Sequence, residues 1–204
     1  MKDRLYLSGA ILLAGAAGAL AVVYTSEPAD PFAPCREDTM IDFSQIGGPF
    51  ELIDETGQDV TDADVFTRPT LFYLGYTFCP DVCPLDNMRN ADAVYLMEEA
   101  GTEVQSVFLS IDPQRDTPEV LAEFTEFFHP QMIGLTGTLE SVRAVADAYA
   151  SFFEVQETGD EFYLIDHSTH TFLVLPEHGV VDIINREEMP EEVATRAACM
   201  IEHA

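Results

Sequence analysis

The alternation of apolar and polar positions divides the chain into an apolar N-terminal run, a polar linker and a long region of strand-like and helix-like patterns. Short apolar or alternating runs typical of strands cover residues 50–53, 70–75, 104–111, 162–165, 171–175 and 180–184. Apolar residues recur at helical spacing in residues 84–97, 118–128, 139–149 and 190–202. Pro84 and Pro118 suit the first turn of a helix, because the missing N–H costs nothing there.

The order of these elements predicts an α/β fold. Strands alternate with helices and are followed by a late group of strands and a last helix, which indicates a central mixed sheet flanked by helices on both faces. A content of 47% hydrophobic and 23% charged residues is typical of a globular protein. We therefore assign residues 46–204 to one folded domain.

The apolar N-terminal run predicts a transmembrane helix. Residues 5–24 carry no charge and are long enough to cross the ~30 Å hydrocarbon core of a bilayer. Lys2 and Arg4 precede the run, so the positive-inside rule places the chain after it outside the cytoplasm. A cleaved signal peptide is the alternative, because small residues cluster at 14–19. Without an Arg-rich and Ser-rich presequence, residues 1–26 indicate a single-pass anchor in a bacterial inner membrane, with the domain in the periplasm.

Residues 27–45 are predicted to be a tether, because prolines and acidic residues occur there without periodicity. The chain as a whole is strongly acidic, with a net charge of −28 and Lys2 as its only lysine. Such a charge excludes nucleic acid as a partner.

All four cysteines follow the apolar run and therefore lie in a compartment where disulfides persist. Cys35 and Cys199 lie near the two ends of the exported part. Two interpretations remain open for them: a structural disulfide that links the tether to the last helix, or a free Cys35 and an inert buried Cys199 thiol.

Cys79 and Cys83 carry the clearest chemical signal. Cys79 follows an apolar strand and Cys83 begins a helix, where backbone N–H groups and the helix dipole favour the thiolate. Three residues separate them, whereas redox enzymes of the thioredoxin type have two, so the pair is suited either to a redox disulfide or to one metal ion. Two thiolates favour Cu(I), and an added imidazole also suits Cu(II).

Five histidines are candidates for that imidazole. His203 near the chain end and His178 in a turn are expected to face solvent, and His129 is expected to end a helix. His167 follows an apolar strand, where a loop can lean over the cysteines, and His170 is its nearest competitor. Spacing alone does not choose between them.

Three separated segments together resemble the Sco family, also called SenC. These are residues 75–84, which contain both cysteines, residues 110–118 and residues 163–168, with a weaker match at 133–138. Members of this family are tethered copper proteins of thioredoxin-like fold. The resemblance implies that Cys79, Cys83 and His167 bind copper, as Cu(I) or Cu(II), and that the protein delivers it to the CuA centre of cytochrome c oxidase subunit II.

Other periplasmic copper chaperones or thiol reductants are further expected partners. An extracytoplasmic thiol-disulfide reductase that uses Cys79 and Cys83 is the alternative function. Asp81, between the cysteines, is expected to order the loop or to tune the site without binding the metal. Asp112 and Arg115 are expected to pair and hold a neighbouring loop. Cys35 and Cys199 lie outside the family pattern.

Overall fold

A computed structural model describes residues 30–36, 41–156 and 163–204. The chain divides into two units, Met1–Pro34 and Cys35–Ala204, and only residues 30–34 of the first are described. The predicted membrane helix, residues 5–24, lies outside the described residues. Within the described ranges, no helix has the length and apolar character needed to cross a membrane.

The second unit is built from strands and helices that follow the predicted pattern closely. The strands are β1 (Glu51–Asp54), β2 (Asp59–Thr61), β3 (Thr70–Gly75), β4 (Gln105–Ser110), β5 (Ile133–Thr136), β6 (Phe153–Gln156), β7 (Leu164–His167), β8 (Thr171–Leu175) and β9 (Gly179–Ile184). The α-helices are α1 (Asp62–Val65), α2 (Val82–Glu99), α3 (Pro118–Phe128), α4 (Leu139–Ala148) and α5 (Pro190–Glu202). Short 3-10 helices cover Ala33–Cys35 and Phe43–Gln45.

The central sheet is mixed, as predicted. Within the described residues its strand order is β2-β1-β5-β4-β3-β8-β9, with β3, β4 and β5 parallel and the outer strands antiparallel. Every residue of β3, β4 and β8 is buried, which requires cover on both faces of the sheet. Helix α2 packs against α5, while α3 packs against β5 and α4 against β1. The predicted α/β class is therefore confirmed.

Four short elements, β2, α1, β5 and β6, were not predicted from the sequence. The start of β7 was predicted two residues too early. Residues 164–167 form β7, whereas residues 162–165 had been expected, and residue 162 lies outside the described residues. Strands β6 and β7 form a two-stranded ribbon separate from the main sheet. Phe43 belongs to the hydrophobic core, although the sequence placed it in the tether.

Candidate metal centre

The two cysteines lie where β3 gives way to α2. Cys79 is in the connecting loop, where its backbone N–H donates to the Tyr76 carbonyl at 3.3 Å, and Cys83 lies in the first turn of α2. Both are buried, with 8% and 0% of their surface exposed. Gly75 at the end of β3 is required by this packing, because a Cβ there would lie 2.8 Å from the Cys83 sulfur. The loop therefore brings both thiols to one end of the sheet.

Asp116, which lies between β4 and α3, fixes the cysteine loop. Its carboxylate accepts hydrogen bonds from the Thr77 backbone N–H at 3.0 Å and the Thr77 hydroxyl at 2.6 Å. The Ser110 hydroxyl at the end of β4 donates to it at 2.6 Å. Asp116 is fully buried, and burial raises its pKa although these hydrogen bonds oppose the rise. In the sequence, Asp116 had stood out only as a member of the segment 110–118.

His167 reaches the cysteines from the ribbon of β6 and β7. It is the last residue of β7 and pairs with Phe153 of β6, and its Nε2 lies 3.4 Å from the Cys83 sulfur. Its Nδ1 lies 2.7 Å from the Ser168 carbonyl oxygen. Because a carbonyl only accepts, Nδ1 carries the proton and the Nε2 lone pair faces the thiols. Neutral imidazole is held in the tautomer that a metal ligand needs.

Tyrosine rings support the ribbon against the cysteine loop. The Tyr76 hydroxyl accepts the backbone N–H of Ile165 at 3.2 Å, and its ring meets the His167 ring edge-on at 5.8 Å between centroids. Tyr73 lies under the site and donates to Asp86 at 2.9 Å, with its hydroxyl 3.9 Å from the Cys83 sulfur. Asp86 was not recognised as part of the site in the sequence, because a helix interior gives no signal of its own.

Cys79, Cys83 and His167 thus converge, and their ligand atoms all lie within 4.8 Å of one another. The competing histidines have other neighbours. His170 is not part of this group, and its ring meets Phe172 edge-on. His129 caps the end of α3, as predicted, and its Nε2 lies 3.4 Å from a Glu98 carboxylate oxygen. The structure therefore places His167, and not His170, beside the two thiols.

A hydrogen bond joins the two thiols. The hydrogen bond from the Cys83 thiol lowers the pKa of Cys79, helped by the backbone N–H groups of Cys83 and Asp81, although burial opposes the shift. The same hydrogen bond, together with burial, raises the pKa of Cys83. Cys79 is therefore the more acidic of the two thiols, and Cys83 donates the proton in the hydrogen bond between them. A soft cation that replaces this proton has two sulfur ligands available at once.

The loop residues that were singled out beside the cysteines have distinct roles. The Asp81 side chain is exposed and makes no capping hydrogen bond to α2, so the expected loop-ordering contact is absent. Its backbone N–H acts instead, on the Cys79 sulfur. Asp112 and Arg115 form the expected ion pair. The Arg115 guanidinium also lies 3.7 Å from the centre of the Tyr163 ring, which ties the ribbon to the loop after β4.

The other two cysteines form a disulfide. Cys35 and Cys199 are bonded, with their Cα atoms 5.7 Å apart. The alternative of a free Cys35 and an inert Cys199 thiol is wrong. His203 is exposed, as expected, but it also lies beside this disulfide.

Comparison with known proteins identifies the family. The SCO1/SenC family profile matches residues 38–202. The chain belongs to the SCO1/SenC family. It is 49% identical over 182 residues to protein SenC of Rhodobacter capsulatus, which is 89% of this chain and 82% of that protein.

Solved SCO1/SenC structures share the fold. Arabidopsis thaliana ScoI with copper bound has a TM-score of 0.73 at 35% identity, covering 77% of this chain and 99% of that one. Bradyrhizobium japonicum ScoI with copper bound has a TM-score of 0.69 at 34% identity, covering 75% and 98%. The predicted thioredoxin-like α/β fold is the fold of these family structures. The prediction of copper agrees with the metal present in both relatives, and two sulfurs with one imidazole nitrogen suit copper chemically.

Proposed function

We propose that this SCO1/SenC chain is a copper metallochaperone, which holds one copper ion between Cys79, Cys83 and His167 and delivers it to the CuA centre of cytochrome c oxidase subunit II. One observation carries the proposal: the three ligand atoms lie within 4.8 Å of one another, with the His167 lone pair directed at the thiols. The copper-bound structures of two relatives support the choice of metal.

The three ligands come from separate parts of the fold, and this arrangement suits the release of copper to a partner. Two ligands belong to the loop and helix beside the main sheet, and the third belongs to the ribbon. Phe78 and Leu85, next to the cysteines in sequence, expose 51% and 62% of their surface. Copper passes by ligand exchange, in which thiols of the acceptor replace these ligands one at a time.

We further propose that residues 5–24 anchor the protein in a bacterial inner membrane, with the copper site in the periplasm. The Cys35–Cys199 disulfide supports this location, because structural disulfides persist outside the cytoplasm. Other periplasmic copper chaperones or thiol reductants are the proposed partners that load the site and keep its thiols reduced. Retention of the N-terminus after a carbonate wash of membranes tests the anchor, and a mature form that starts after about residue 19 contradicts it.

A substitution series tests the ligand set. Cu(I) is stable with two thiolates alone, whereas Cu(II) needs the additional nitrogen. His167→Ala is therefore expected to keep Cu(I) with weakened affinity and to lose Cu(II), while Cys79→Ser or Cys83→Ser abolishes tight binding of both. His170→Ala is the control and leaves both states nearly unchanged. If His170→Ala removes Cu(II) and His167→Ala does not, the assignment of the imidazole is wrong.

A thiol-disulfide reductase is the second candidate, because the lowered pKa of Cys79 makes it a nucleophile. Two mixtures separate the functions. Copper-loaded protein with reduced apo-subunit II gives the CuA absorption spectrum if the chain is a chaperone. Copper-free reduced protein with disulfide-bonded subunit II gives free client thiols if it is a reductase. Failure of the first mixture with success of the second overturns the proposed function.

A further inference from the structure

A second group of metal-ligating side chains lies at the end of the last helix. Cys199 is in α5 and His203 caps its C-terminus, and because the two are four residues apart they share one face of the helix. Cys35 lies against this face, bonded to Cys199. Cys35 and Cys199 are partly exposed and His203 is exposed, so the group is open to solvent.

The three side chains converge as closely as those of the first site. His203 Nδ1 lies 3.6 Å from the Cys35 sulfur and 4.0 Å from the Cys199 sulfur, and the three ligand atoms lie within 4.8 Å of one another. The donors are again two sulfurs and one imidazole. A disulfide is stable without a histidine beside it. The convergence of two sulfurs and one imidazole therefore indicates a second use of these residues, as metal ligands.

We propose that reduction of the Cys35–Cys199 disulfide creates a second Cu(I) site, whose ligands are Cys35, Cys199 and His203. A dithiol reductant supplies two electrons and two protons: it closes its own disulfide while the Cys35–Cys199 bond breaks and both sulfurs become thiols. Cu(I) then binds the two sulfurs and displaces both protons to solvent. Disulfide and metal exclude each other, so the site is available only in the reduced protein.

The cysteines stay together after reduction because other contacts hold the segment around Cys35. The neighbouring Arg36 side chain donates to the Val181 carbonyl of β9 at 3.1 Å. Its guanidinium also lies 4.4 Å from the centre of the buried Phe43 ring. Cutting the S–S bond therefore leaves Cys35 beside α5, where both thiols remain within reach of one ion.

His203 needs only a change of tautomer to become a ligand. In the disulfide form its Nδ1 lies 2.9 Å from the Cys199 carbonyl oxygen, so Nδ1–H donates there. Moving the proton to Nε2 frees Nδ1, and the exposed side chain lets Nε2–H bond to water.

Cu(I) is the metal that this donor set favours. Two thiolates and one imidazole satisfy the soft Cu(I) ion, whereas structural zinc sites are almost always four-coordinate. A net charge of −28 on the chain also attracts cations.

The experiment uses the full-length Cys79→Ser/Cys83→Ser protein, in which the first site is removed. It is reduced with a phosphine under nitrogen, desalted and titrated with Cu(I) against a competing Cu(I) chelator. We expect one Cu(I) per chain in the reduced protein and none in the disulfide form. His203→Ala is expected to weaken Cu(I) binding by at least about tenfold. Loss of a residue that only orients a metal ligand already lowers metal affinity by about tenfold or more, and loss of the ligand itself lowers it at least as much. His178→Ala is the matched control and leaves the affinity unchanged.

Alkylation provides a second readout at the same residues. Bound Cu(I) protects Cys35 and Cys199 from iodoacetamide, as mapped by mass spectrometry. If the double variant does not fold, the wild-type chain decides: reduced at all four cysteines it takes up two Cu(I), and with the Cys35–Cys199 disulfide intact it takes up one. The proposal is overturned if reduction adds no copper, if Cys35 and Cys199 stay unprotected, or if His203→Ala binds Cu(I) as tightly as its parent.

Discussion

Gly75→Ala tests the packing of the copper site with the smallest change that the chain allows. A Cβ at position 75 would lie 2.8 Å from the Cys83 sulfur, 2.8 Å from the Tyr73 ring and 3.0 Å from the Phe108 ring. All three neighbours are fully buried, so none has a free direction in which to move. Overpacking of this kind costs about 1–3 kcal/mol, and the lower entropy of the unfolded chain returns about 0.4–1 kcal/mol.

The midpoints of these two ranges leave a net loss of about 1.3 kcal/mol, which corresponds to a fall in Tm of roughly 3–5 °C for a domain of this size. Copper binding is affected as well. Restoring ordinary contact requires the Cys83 sulfur to move from 2.8 Å to at least 3.4 Å, which exceeds the ~0.2 Å tolerance of a metal–ligand distance. We therefore expect Cu(I) affinity to fall by about tenfold or more, the range found when the groups that orient a metal ligand are lost.

Thermal unfolding of the copper-free protein and competitive Cu(I) titration measure the two effects separately. Gly48→Ala is the matched control, because its nearest neighbour is the Ala148 Cβ at 3.8 Å, an ordinary contact. Its copper affinity is expected to stay at the wild-type value, and its Tm is expected to rise by roughly 1–4 °C, because only the entropic gain of about 0.4–1 kcal/mol applies. Wild-type Tm and copper affinity in Gly75→Ala would show that the site repacks freely and that our account of position 75 is wrong.

Three other perturbations test separate parts of the structure. Asp116→Asn removes a hydrogen-bond acceptor from the buried cluster under the cysteine loop. The free energy of unfolding in urea is expected to fall by about 1–3 kcal/mol. An unchanged free energy would contradict the anchoring role of Asp116. Cys35→Ser/Cys199→Ser removes a disulfide between residues with a sequence separation of 164. The free energy of unfolding in guanidinium is expected to fall by about 2–4 kcal/mol. Equal unfolding midpoints for the variant and the wild type would show that the disulfide adds no stability. Burial and the hydrogen bond to an aspartate raise the pKa of Tyr163 to about 12. Because this folded-state pKa lies above the ordinary tyrosine value of 10.0, the contribution of Tyr163 to stability is present below pH 10 and is lost as the pH rises towards 12. Tyr163→Phe should remove a phenolate absorbance step near pH 12, and a step near pH 10 would contradict the assignment.

The long elements could be predicted from the sequence because each carries its own pattern. The buried strand Thr70–Gly75 and the amphipathic helix Pro190–Glu202 were found at their observed bounds. The strand Ile133–Thr136 was missed: it has four residues, one of them glycine, and is held between β1 and β4. Such an element is stabilised by its neighbours in the sheet rather than by its own residues.

The residues of the candidate site were likewise predicted only in part. Cys79 and Cys83 were identified from their spacing and from their position between a strand and a helix. His167 followed only from the family resemblance, because the choice between His167 and His170 depends on the pairing of β6 with β7. The contact of His203 with the disulfide was missed, although a cysteine and a histidine four residues apart near a helix end were visible in the sequence. What could not be predicted were the contacts across long separations in the chain.

The ribbon of β6 and β7 forms a sheet of its own, yet it supplies the imidazole. The nitrogen ligand therefore comes from a module outside the central sheet. If the proposed copper function holds, a change at position 167 leaves a two-thiolate site that keeps Cu(I) more weakly and loses Cu(II), and the reverse change restores the third ligand. In this architecture a single codon separates a group of two sulfurs and one imidazole from a pair of sulfurs alone.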